Sequence, residues 1–216
     1  MGTHLNVTDI SFGDHLSSIY QNKEQQFSLI VPFVMDGLNN NNKCIYVVNE
    51  NSREEVIFEF ENAGFNIETY IASKQFVILT AEDTYLKDGY FGVEKILNFI
   101  EETNNTAIKD GYNGLRGIGE MSWALADIAI NEKLIEYEIK LNKFLTNKRI
   151  VLLCQYNESK FSHDILNNIV RTHESIVIYG KLYKNKYFYI APSYFNQAKK
   201  LPADSYQTII DTIIEE

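Results

Sequence analysis

The chain has 216 residues, 45% hydrophobic and 23% charged, which suits one large domain with a substantial core and excludes a disordered polar chain. A formal net charge of -9 repels phosphate backbones, and no basic run, helix-turn-helix, finger or basic-zipper pattern reverses that locally, so direct nucleic-acid binding is not expected. No apolar stretch reaches the roughly 18 residues of a bilayer span.

Met1-Gly2-Thr3-His4 lacks the basic-then-apolar order of a signal peptide. Cys44 and Cys154 each lie inside an apolar run and read as reduced, buried thiols. Together these features predict a cytoplasmic protein. The 13% aromatic content fits core packing or an aromatic-lined pocket.

In chain order, His15–Gln21 reads as a short strand. Lys23–Asn39 is predicted helical from apolar residues at Phe27, Ile30, Val31, Val34, Met35 and Leu38, with Pro32 expected to kink or break it. Lys43–Asn49 is a second strand. Ser52 and Glu55 form a capping-box signature, opening a helix that runs to about Ala63 and stops at Gly64. Gln75–Thr80 is a third strand, and Asp88 is a candidate cap for a helix over Gly89–Glu102.

Gly114–Glu120 reads as a weaker fourth strand, Asn131–Thr146 as a helix and Arg149–Tyr156 as the most apolar strand. Ser162 caps a helix over Ile165–His173. Two β runs, Ser175–Leu182 and Lys186–Ile190, flank a plausible hairpin turn at Asn185. Asp204–Glu216 closes the chain as a short amphipathic helix.

Strands alternating with helices predict an α/β fold of three layers. A mostly parallel central sheet carries helices on both faces, and an antiparallel hairpin lies at one edge near the C-terminus. The predicted organisation is a tail over 1–11, a single domain over 12–203 and a C-terminal helix over 204–216 that leads towards an output module.

Ligands of open α/β sheets bind outside the carboxyl ends of the strands. Here those ends carry Tyr20–Lys23, Asn49–Ser52 with Glu50, Thr80–Asp83, Glu120–Trp123 and Gln155–Asn157. This polar-aromatic rim suits a small molecule and offers no obvious reaction. Where a P-loop would lie between the first strand and its helix, the chain reads Tyr20-Gln21-Asn22-Lys23-Glu24-Gln25, without glycine, so a phosphate-free ligand is favoured. Gly111, Gly114, Gly117 and Gly119 match neither phosphate-binding fingerprint. They provide either a mobile segment or turns and close strand packing.

Metal binding would need His15, Cys154 and His173 to converge; otherwise both histidines are hydrogen-bonded structural residues. Glu120 is either a carboxylate in a greasy pocket near Trp123 or an ordinary partner of Arg116. A Cys154 nucleophile with His173 as its base is disfavoured, because thiols in apolar runs are inert.

The segments Gly13-Asp14-His15-Leu16 to Tyr20, Pro32-Phe33, Gly37-Leu38 and Cys44-Ile45-Tyr46-Val47-Val48 resemble the opening of the MEDS (methanogen/methylotroph, DcmR sensory) domain. Leu115-Arg116, the run Gly119-Glu120-Met121-Ser122-Trp123-Ala124-Leu125, Leu153-Cys154-Gln155-Tyr156, Phe161 and Thr172-His173 extend the resemblance over about residues 12–195. Where the resemblance leads to His-Pro, this chain has His173-Glu174.

The resemblance implies a RecA-like fold, related to circadian-clock ATPases but without their P-loop. It also implies sensing of small carbon compounds, alone or joined to a histidine kinase or DNA-binding output module, with a homodimer as one arrangement. The candidate ligand-binding set is His15, Tyr20, Glu50, Arg116, Glu120, Trp123, Cys154, Tyr156 and His173. No cofactor and no resident metal are expected. A degenerate RecA-like nucleotide-binding protein or ATPase is the alternative.

Overall fold

The computed structural model describes residues 6–215, leaving aside the side chains of 128, 129 and 132; Met1-Gly2-Thr3-His4 and Glu216 lie outside the described residues. Its centre is a seven-stranded sheet: β1 (His15–Tyr20), β2 (Lys43–Val48), β3 (Phe76–Thr80), β4 (Leu115–Glu120), β5 (Ile150–Asn157), β6 (Ser175–Ile178) and β7 (Lys181–Lys184). The spatial order is β3-β2-β4-β5-β1-β6-β7. Every neighbouring pair is parallel except β6 and β7, which are antiparallel. β1 is buried at all six positions, as expected for a strand covered on both faces.

Helices α1 (Lys23–Asn39), α2 (Arg53–Asn62) and α3 (Glu68–Ala72) cover one face, where Phe33, Val34, Val56 and Phe60 meet Leu16, Tyr46, Ile118 and Leu153. On the other face α4 (Val93–Lys109), α5 (Ile128–Phe144) and α6 (His163–Thr172) bring Ile96, Leu134, Leu141 and Ile169 onto Ile19, Val47, Leu152 and Ile176. A short α7 (Pro192–Phe195) lies on α5, and α8 (Tyr206–Glu215) rests on α6 and β7.

Several expectations need correction. Pro32 does not break α1, which runs through it: the buried Phe33 and Val34 hold the helix on the sheet, and packing outweighs one lost hydrogen bond. The hairpin turns at Tyr179 and Gly180, both with positive φ (50° and 86°), the backbone a two-residue primed turn demands.

Asn185 is not the turn. Its side chain donates to the carbonyls of Val170 (2.7 Å) and His173 (3.0 Å), and 186–190 form no strand. Helix α4 starts after Gly92 rather than Asp88, whose carboxylate instead pairs with Lys95. The glycine-rich segment divides: Gly111, with a φ of 91°, and Gly114 lie in the turn before β4, while Gly117 and Gly119 lie in β4 between β2 and β5. A Cβ on Gly119 would come 2.4 Å from the Tyr85 hydroxyl, so close packing explains this glycine.

The capping box at Ser52 and Glu55 forms as the spacing predicts, and Ser162 caps α6.

Candidate functional site

Seven of the nine proposed site residues separate into three groups, and Arg116 and Trp123 stand apart from them. The first surrounds Glu138, a carboxylate absent from the candidate set. β1 and β5 run side by side with Ser17 opposite Cys154, so His15 and Cys154 point to the same face of the sheet. His173 closes α6 on that face, and α5 lowers Glu138 between them.

The Glu138 Oε2 atom lies 3.2 Å from His15 Nε2 and 3.1 Å from His173 Nε2. The two Nε2 atoms are 3.3 Å apart, and Cys154 Sγ is 3.6 Å from His15 Nε2. Tyr156 donates its hydroxyl to Glu138 Oε1 at 2.7 Å. His15, Glu138, Cys154, Tyr156 and His173 are all buried.

Burial alone would raise the Glu138 carboxyl, but His15 and His173, when protonated on Nε2, outweigh that and hold it below the usual carboxylate range. His15 is lowered, chiefly by burial and then by His173. Burial and the Glu138 charge push the Cys154 thiol well up, which removes it as a free nucleophile. Burial likewise lifts Cys44, to about 12.

The second group is built on Glu120, fully buried at the carboxyl end of β4. Its Oε2 accepts the backbone N–H groups of Asn49 (2.7 Å), Glu50 (2.5 Å) and Asn51 (3.1 Å). Its Oε1 accepts the Tyr46 hydroxyl and the Asn51 amide, both at 2.6 Å. Glu120 therefore ties the β2–α2 loop to the sheet.

Arg116, near the opposite end of β4, is not its partner. Arg116 pairs with Asp36 (2.5 Å) and donates to the Phe33 carbonyl (3.0 Å). Tyr20 and Glu50 form the third group at the rim, joined by a hydrogen bond. The Glu50 carboxylate also takes Lys160 (2.8 Å) and the Asn157 amide (3.0 Å).

A cavity of about 40 Å³ lies between the sheet and helices α4 and α5, next to the first group. Val47, Gly117, Gly119 and Leu152 form its floor, and Ile96, Ile100, Tyr85 and Tyr137 its other walls, with Cys154 at one side. Tyr85 and Tyr137 share a hydrogen bond. Trp123 stands one ring behind this wall, stacked on Tyr85 at 4.5 Å between centroids.

Sequence reasoning missed Glu138, although a signal existed. Glu138 stands four residues after Leu134 and three before Leu141, on the buried face of its helix, and a carboxylate there needs partners. Tyr85 and Tyr137 carried no such signal, because aromatic residues at core spacing look like core.

At the β1–α1 junction only Gln21 and Asn22 separate strand from helix. Asn22 caps Gln25 N–H (2.9 Å) and Gln25 accepts the Gln21 N–H (2.9 Å). Two residues cannot wrap a phosphate as a P-loop does, so this is an α/β domain of RecA-like topology whose phosphate cradle is absent.

The chain belongs to the MEDS family (methanogen/methylotroph, DcmR sensory domain), whose description matches residues 14–174. It is 24% identical over 172 residues to the transcriptional repressor DcmR of Methylorubrum extorquens, a match covering 79% of this chain and 62% of the repressor. The chain thus spans less than two thirds of that relative's length. Its fold is similar to that of a KaiC-like protein from Pyrococcus horikoshii, with a TM-score of 0.53 and 14% identity over 77% of this chain and 70% of the other. Among the described residues no helix is long and apolar enough to cross a membrane.

Proposed function

We propose that this domain is a sensory module that binds a small, mostly apolar carbon compound in the cavity beneath β2, β4 and β5 and passes its occupancy to a regulatory output. The observation carrying this reading is the cavity itself. At about 40 Å³ it has room for a molecule of a few non-hydrogen atoms, since a water needs about 10–15 Å³ on the same measure. Apolar walls supply affinity, and the Tyr85–Tyr137 hydroxyl pair supplies the polar contact that orients a ligand. Membership of a sensory family and similarity to a transcriptional repressor support the regulatory half. A separate DNA-binding output is in keeping with that similarity, given the net charge of -9 on this chain.

A ligand that presses on Tyr85 disturbs the Trp123 stack, so indole fluorescence reports binding. Titration with a panel of short alcohols, amines and halocarbons should change Trp123 emission for at least one class. Ile100→Phe, which fills the cavity, should abolish that change while the far-ultraviolet circular dichroism stays native. An equal response in Ile100→Phe places the ligand elsewhere. The nucleotide-binding alternative predicts magnesium-dependent ATP hydrolysis. The two-residue β1–α1 junction argues against it, and turnover lost on mutating Lys23 would revive it.

A further inference from the structure

The polar groups around Glu138 are fixed in a way that their own hydrogen bonds do not explain. Asn142 donates its amide to the Glu138 and Thr172 carbonyls (3.2 and 2.8 Å), which turns its oxygen towards His15 Nδ1 at 3.2 Å. His15 therefore carries its proton on Nδ1. His173 Nδ1 lies 2.7 Å from the Ile169 carbonyl, which can only accept, so His173 is protonated on Nδ1 too. Both Nε2 lone pairs then face each other at 3.3 Å. Tyr156 holds Glu138 Oε1, and Oε2 is left fully buried without a hydrogen bond. Lone pairs of two imidazoles and a carboxylate meet in a dry interior, with the Cys154 thiol beside His15.

We propose that His15, Glu138 and Cys154 bind one divalent transition-metal ion of the zinc type, with His173 set against His15 and Glu138 beside it. Bonds of about 2.0–2.3 Å to a tetrahedral ion place its donor atoms about 3.3–3.8 Å apart. His15 Nε2 lies 3.2 Å from Glu138 Oε2 and 3.6 Å from Cys154 Sγ. His15, Glu138 and Cys154 offer atoms all within 4.8 Å of one another. Charge balances as well: a divalent ion offsets one carboxylate and one thiolate, and the two imidazoles stay neutral. Among the described residues no lysine or arginine pairs with Glu138. A single proton would satisfy two of these atoms and leave the others facing unpaired lone pairs.

The surrounding bonds are those of a built metal site, since Asn142 orients His15 and Tyr156 orients Glu138. Binding would displace the Cys154 thiol proton to solvent, so affinity rises with pH. Three protein ligands leave the fourth tetrahedral position open, on the side that His173 faces. Cys154 also borders the cavity, so the ion would brace one of its walls.

The test is to strip the full chain with a chelator, add Zn(II) or Co(II), and measure metal content and the visible spectrum. The expected result is one ion per chain, a higher melting temperature, and cobalt bands that include a thiolate charge-transfer band. Cys154→Ser should lose the charge-transfer band. Glu138→Gln should weaken binding by more than about 100-fold, and Asn142→Ala, which releases the His15 ring, by about 10–100-fold. Should the ligand variants fail to fold, the wild type and Asn142→Ala decide the matter. Wild-type protein that takes up no cobalt overturns the proposal, and so does a cobalt spectrum identical in Asn142→Ala and Cys154→Ser, which would mark adventitious binding.

Discussion

Glu120→Ala should be the most damaging single substitution in this chain outside the apolar core. It strips acceptors from three consecutive backbone amides, from the Tyr46 hydroxyl and from the Asn51 side chain. A buried donor left without a partner costs about 1–3 kcal/mol, and relaxation of the 49–51 loop recovers part of the total. A net loss of at least about 3 kcal/mol follows, or roughly 6–12 °C in melting temperature for a domain of this size. Glu120→Gln should fall between wild type and alanine, because its NH2 group meets donors where the carboxylate met them with lone pairs. Thermal unfolding by circular dichroism measures this. A melting temperature within about 2 °C of wild type would mean that Glu120 does not anchor the loop. Loss of ligand response with unchanged stability would return it to the ligand-binding set.

Arg116→Met should also destabilise strongly, with no effect on the Trp123 response. The guanidinium is buried against α1, paired with Asp36, bonded to the Phe33 carbonyl and set 4.9 Å from the centre of the Phe33 ring. Removing one partner of a buried pair costs about 3–5 kcal/mol. Asp36 keeps 23% side-chain exposure, so water takes over part of its solvation and about 2–3 kcal/mol is the expected loss. Methionine preserves the stem that packs beside Gly37, where a Cβ would lie 2.6 Å from Arg116 Cδ. A denaturant midpoint unchanged from wild type would show that the pair contributes nothing. A weakened ligand response would show that Arg116 acts beyond α1.

Both predictions change what the sequence suggested for these two residues. Lying four apart on one strand, Glu120 and Arg116 looked like mutual partners or pocket groups. Alternation along β4 does put them on the same face, but four residues of strand span about 13 Å, too far for a salt bridge. The loop after β2 and the last turns of α1 claim them instead.

The sequence by itself determined the layers. Apolar runs as continuous as Val151–Cys154 are stable only between two covering layers, and helical spacing after each strand specified what covers them. It determined the missing phosphate cradle, because the residue types at Tyr20–Gln25 settle whether backbone amides can wrap an anion. It also carried the family, through the run from Gly119 to Leu125.

What only the tertiary structure decided was which polar residues meet. His15, Glu138, Cys154 and His173 come from four separate elements, and their convergence depends on β1 lying beside β5 and on the rotation of α5 about its axis. The cavity is equally a property of packing. Gly117 and Gly119 lie on its sheet floor, where Leu152 and Tyr85 pack against them, and the facing helices leave the space beyond partly unfilled. Neither the strand order nor the helix rotation is encoded within one local stretch of chain. Both arise when the whole core minimises exposed apolar surface at once.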